Sequence, residues 1–132
     1  MRQEVYSGRL ELHGEEHEKT LLAANNHAAT LLALKRFEEG KSLLRKKIPM
    51  ARRVLGENDE TTLRMRKMLA EALWNDDGAT LDDCREAVTT LEDTARTARR
   101  VFGGAHPLTA GIEDTLRNAR LLLPQAAAAA RA

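Results

Sequence analysis

One pattern of apolar and small residues is written into this chain twice. It runs Phe37, Gly40, Leu44, Ile48, Ala51, Leu55, and again Cys84, Ala87, Leu91, Ala95, Ala98, Phe102, with the same steps of 3, 4, 4, 3 and 4. Steps that alternate between three and four keep residues on one side of an α-helix, whereas a strand would repeat every second residue. Both ladders also end alike, in Ala51-Arg52-Arg53-Val54-Leu55-Gly56 and Ala98-Arg99-Arg100-Val101-Phe102-Gly103. A helix with one apolar stripe needs neighbours to cover it, so a recurring stripe points to helical units stacked on one another.

The unit has a third trace. Gly14-Glu15-Glu16-His17-Glu18-Lys19-Thr20-Leu21, Gly56-Glu57-Asn58-Asp59-Glu60-Thr61-Thr62-Leu63 and Gly103-Gly104-Ala105-His106-Pro107-Leu108-Thr109-Ala110 open comparable segments. The second interval is five residues longer than the first, and the surplus falls around Asn75-Asp76-Asp77-Gly78-Ala79, where a loop absorbs it. Glycine just after the last apolar position suits a helix C-terminus, and Pro107 suits the first position of a new helix. Thr80-Leu81-Asp82-Asp83 has the spacing of a capping box. Pro49 falls inside one ladder and should bend that helix.

These signals predict a partial helix to about residue 12, then helices near 18–34, 37–55, 59–75, 80–102 and 106–123, alternating as antiparallel pairs. The repeat domain is placed at 1–123, with units at about 14–55, 56–102 and a partial 103–123, followed by an Ala-rich tail at 124–132. That tail reads as a helical extension, a packing strip or a frayed end. The start near Tyr6 reads as the tail of an outer helix, so the array is expected either to be cut from a longer one or to have its open end covered, with self-association as one way of covering it.

Composition narrows the function classes. Of 132 residues 42% are hydrophobic and 31% charged, which suits one globular domain, and a net charge of +1 offers no general attraction for phosphate backbones or anionic membranes. Neither nucleic acid nor a membrane is therefore an expected partner. Cys84 is the single cysteine, which leaves no internal disulfide, and neither an apolar leader nor a membrane-length apolar run is visible, so a cytoplasmic setting is expected.

With those residues in hand, the chain resembles the long-unit tetratricopeptide repeats of the kinesin light chain type, whose units carry Leu-Gly-x-x-His-Pro-x-Thr-Leu before an Asn-Asn-Leu-Ala helix. His17, Thr20, Leu21, Asn25, Asn26 and Ala28 stand where that pattern expects them, Phe37-Glu38-Glu39-Gly40 follows in place of an aromatic-x-Glu-Ala turn, and His106-Pro107-Leu108-Thr109 repeats the junction. Departures are His27 where a core leucine is usual, Asp59-Glu60 in place of His-Pro, and Arg117 and Arg120 in the last unit. The resemblance spans roughly residues 10–123. It implies an all-α fold of antiparallel helix pairs stacked as a right-handed α-solenoid, with a concave groove that holds a peptide or helical segment of a partner protein.

The inward-facing spacing that the resemblance implies places Leu22, Asn25, Ala29 and Leu32 in the groove from the first unit. Arg64, Lys67, Glu71, Trp74 and Asn75 follow from the second, and Asp114, Asn118 and Leu121 from the third. Asn25 and Asn118 each offer a donor and an acceptor for a bound main chain, while Arg64 and Lys67 would attract acidic groups. Each polar position has an alternative reading as an ordinary solvated helix residue, and Trp74 reads either as an interface anchor or as core beside the inserted loop.

His27 reads as a buried core histidine, and Cys84, in the slot of Phe37, as a small core residue. His13 and His17 flank Gly14 at an expected helix break and so lack a common face for a metal. The basic set Lys41, Arg45, Lys46, Lys47, Arg52 and Arg53 reads as a solvated outer face. No phosphate loop, nucleophile elbow or catalytic His–acid cluster is visible, so no enzyme, cofactor or metal is expected. The expected function is a protein-binding scaffold. Its alternatives are a self-assembly module, giving a homo-oligomer, or an accessory repeat domain of a larger signalling or motor-adaptor protein.

Overall fold

The computed structural model describes the backbone of residues 2–131 and the side chains of residues 17–131. Among the described residues there are five helices and no strands: α1 (Arg2–Ala33), α2 (Phe37–Val54), α3 (Glu60–Asn75), α4 (Leu81–Phe102) and α5 (Pro107–Arg131). The fold is all-α. Each helix packs on the next in the chain, and α3 also touches both α1 and α5, whereas the α2 and α4 backbones do not meet.

The two ladders supply the core as their spacing requires. Gly40, Leu44, Ile48 and Ala51 of α2 and Cys84, Ala87, Leu91, Ala95 and Ala98 of α4 are buried. Between them lies α3, which buries two sides at once through Leu63, Met65, Leu69, Ala70, Ala72 and Leu73. Gly40 allows a close approach of α2 to α1, since a Cβ there would fall 2.7 Å from Leu32 Cδ1.

The junctions are built from side-chain caps. Thr80 and Asp83 form the expected capping box, with Asp83 N–H donating to Thr80 Oγ1 at 3.1 Å and Thr80 N–H donating to Asp83 Oδ2 at 2.9 Å. Asp59 accepts from Thr61 N–H at 2.8 Å and His106 Nδ1 from Leu108 N–H at 3.1 Å, so these residues, each three after its glycine, do the same work at the starts of α3 and α5. The Asp59-Glu60 departure thus exchanges one helix-starting acceptor for another. Gly56 (φ 100°) and Gly103 (φ 86°) take the left-handed conformations expected after the ladders.

Other expectations are corrected. Gly14 ends no helix, because α1 is continuous from residue 2 to 33; one internal glycine costs only about 1 kcal/mol against alanine, and strong helix formers surround it. The expected break between His13 and His17 is therefore absent. The side chain of His13 lies outside the described residues, and His17 is exposed. His27 is exposed too, because the buried stripe of α1 runs through Leu21, Ala24, Ala28 and Leu31 and passes one residue to its side. The turn between α1 and α2 closes without glycine. Lys35 adopts φ 60°, its N–H donates to the Leu32 carbonyl at 3.0 Å, and Arg36 N–H donates to the Leu31 carbonyl at 2.8 Å. Helix α2 stays continuous through Pro49, and α5 continues through Pro124 to Arg131, making the alanine tail a helical extension.

Candidate functional site

Where α1, α3 and the α1–α2 turn converge they enclose a groove of about 740 Å³. Its walls include Ala29, Leu32 and Ala33 of α1, Lys67, Met68, Glu71 and Asn75 of α3, Lys35 of the turn and Phe37 at the start of α2, with Asp76 and Asp77 at its end. Lys67, Glu71 and Asn75 recur at steps of four, so their side chains stand in line along one face, with Met68 beside Lys67. Short alanines on α1 leave the opposite wall low. The outcome is an open trough with an apolar strip from Leu32, Phe37 and Met68 between charged rims.

Most charges there already have partners. Lys67 Nζ lies 3.2 Å from Glu71 Oε1. Lys41 Nζ sits 2.6 Å from Glu38 Oε1 and 3.4 Å from Asp76 Oδ2, and these contacts, Glu38 first, raise its pKa above the usual lysine value. Asp76 Oδ1 accepts the Gly78 N–H at 3.1 Å, and that bond together with Lys41 holds the carboxyl below the usual carboxylate range. The trough therefore presents mixed charge. An acidic ligand has to compete with Glu71 for Lys67.

Of the residues expected in the groove, Ala29, Leu32, Lys67, Glu71 and Asn75 line this trough together. The others stand apart from it. Arg64 is exposed and holds Glu60 at 2.6 Å, which lowers the Glu60 pKa. Trp74 is half-buried against the core, and its indole N–H is buried with no hydrogen-bond partner among the described residues. The Asn25 Oδ1 is likewise buried and unpartnered. Leu22 is exposed, Asp114 pairs with Arg117 at 2.6 Å, Asn118 is exposed, and Leu121 borders a separate hollow with Leu116, Arg117 and Arg120.

Sequence reasoning missed Ala33 and Met68 on the walls, and Lys35, Phe37, Asp76 and Asp77, which lie at the turns beside the trough. The inserted Asn75-Asp76-Asp77 stretch was visible as a loop, but nothing in its spacing showed which way it would fold back. No cluster of three or more His, Cys, Asp or Glu able to hold a metal occurs among the described residues, and no described helix is long and apolar enough to cross a membrane. The chain matches no family model, no curated protein and no solved structure.

Proposed function

We propose that this chain is a tetratricopeptide-like scaffold whose helix pairs form a right-handed superhelix and whose α1–α3 trough holds an extended or helical segment of a partner protein, with no chemistry of its own. The observation that carries this reading is the trough itself: five residues picked out by inward-facing spacing, Ala29, Leu32, Lys67, Glu71 and Asn75, share one concave surface. The apolar strip gives a bound segment surface to bury, and the paired Lys67 and Glu71 on the rim offer both a cation and an anion for recognition. The contacts of α3 with α1 and α5 support the stacked-pair reading, as do the equivalent caps at Asp59 and His106. Accessory function within a larger protein is compatible with the same groove.

Selection from a random peptide library tests the proposal. Ala29→Arg raises the low wall of the trough from an exposed position, so the fold should survive while selected peptides lose at least roughly tenfold in affinity, about 1.4 kcal/mol. Peptides that bind wild type and Ala29→Arg equally would place binding elsewhere, and a library that yields no binders would remove the support for a peptide groove.

A further inference from the structure

On the other side of α3 a second cleft of about 370 Å³ opens between α2 and α4, and its floor holds a cation that the core would not be expected to contain. Arg66 is only 8% exposed. Its guanidinium makes no hydrogen bond or ion pair with any described residue, unlike most arginines around it. Its stem is buried while its nitrogens still reach the solvent of the cleft, an arrangement in which a guanidinium with no protein partner is hydrated and open to an anion. Desolvation lowers the Arg66 pKa, and the nearby Arg52 adds to that effect.

The carboxylates of Glu57 and Asp93 offset part of it from a distance, but neither contacts the guanidinium. Arg45 spans the cleft and clamps Glu86 with two bonds of 3.0 Å, so that carboxylate is committed. Asp93 receives Arg96 at 3.1 Å, and Arg52 lies 3.4 Å from Glu57. Ile48, Pro49 and Leu69 line the cleft beside Arg66, with Thr89 and Thr90 on the α4 wall. One uncommitted, deeply set guanidinium next to an apolar wall is matched by a planar, singly charged acceptor on a short apolar stem. A phosphate dianion fits less well, because Glu86 and Asp93 also line the cleft and only one cation is left unpaired.

We propose that the α2–α4 cleft is a binding site for a monocarboxylate, with Arg66 as the bidentate donor and Ile48, Pro49 and Leu69 covering the stem. This site is independent of the trough and needs no part of the peptide-binding reading. The shared chemistry, a carboxylate on an apolar stem, is supplied either by a free small molecule or by the C-terminus of a peptide.

The test is a titration of the full isotope-labelled chain, followed by NMR at constant ionic strength. The probes are butyrate, butanol, inorganic phosphate, and a short peptide ending in leucine as its free acid and as its amide. Butyrate should give saturable shifts at Arg66, Ile48 and Thr89, and butanol and phosphate should not. A free-acid peptide that binds more tightly than butyrate, with its amide inactive, assigns the carboxylate to a chain terminus; the reverse order assigns it to a small molecule. Arg66→Leu should weaken binding at least roughly tenfold. Thr89→Phe provides a second variant that narrows the mouth from an exposed position and leaves Arg66 in place, and it should also abolish the shifts. Absence of saturable butyrate shifts, equal response to butanol or phosphate, or shifts that persist in both variants would overturn the proposal.

Discussion

Two threonines at matching positions of the second and third units meet different fates. Thr62 Oγ1 donates to the Ala51 carbonyl at 3.3 Å, whereas Thr109 Oγ1 has no hydrogen-bond partner among the described residues, although both residues are fully buried. A buried hydroxyl without a partner carries its desolvation cost uncompensated, and replacing it by a methyl of similar shape removes that cost. Thr109→Val is therefore predicted to be neutral or stabilising by up to about 1 kcal/mol, and Thr62→Val to destabilise by about 1 kcal/mol. Paired urea denaturation curves with unchanged slopes check this; equal effects at the two sites would contradict the assigned hydrogen bonding. The same scale shows where sequence reading stops. The Arg64–Glu60 and Lys67–Glu71 pairs stand four apart on one helix and were open to a reading of spacing, whereas that Arg66 would find no partner among the described residues depends on neighbours that helix spacing does not encode.

At the scale of elements, the helices were legible and their ends only partly so. Both ladders placed α2 and α4 to within a residue or two, because a 3-4 rhythm survives any reasonable packing angle. Thr80 and Asp83 announced the start of α4 through a local bond pattern that needs no tertiary information. Gly14 misled for a physical reason: glycine ends a helix only where the chain turns away, and here α1 continues. Lys35 was missed for the converse reason, since a left-handed C-terminal residue is usually glycine and lysine gives no such signal. The caps also carry a prediction. Asp59→Ala should destabilise the chain by about 1 kcal/mol through loss of the acceptor for Thr61 N–H, and Asp59→Asn or Asp59→Ser should restore most of it. Thermal melts of the three variants measure this, and a failure of asparagine to rescue would mean that charge at the α3 N-terminus, rather than the hydrogen bond, is what Asp59 supplies.

At the scale of the whole molecule, the arrangement of helices decides which faces are available for binding. Because α3 meets α1 on one side and α5 on another while packing on α2 and α4, its exposed surface is divided between the trough and the α2–α4 cleft. Of the α3 residues that spacing put on one face, Lys67, Glu71 and Asn75 line the trough, whereas Arg64 and Trp74 do not. Spacing did not reveal the trough's end, which is set by Lys35 of the turn, by Phe37 at the start of α2 and by the fold-back of Asp76 and Asp77, nor that Asn25 and Trp74 would keep polar atoms inside. Those features follow from interhelix angles, and a one-dimensional pattern constrains angles weakly. The most direct measurement of the central claim is NMR mapping of a library-selected peptide on the labelled chain. The largest shifts should fall on Ala29, Leu32, Lys67, Glu71 and Asn75 and saturate at one peptide per chain. Shifts gathered instead on the outer face of α2 and α4, or on the exposed side of α5 around Leu121, would contradict it.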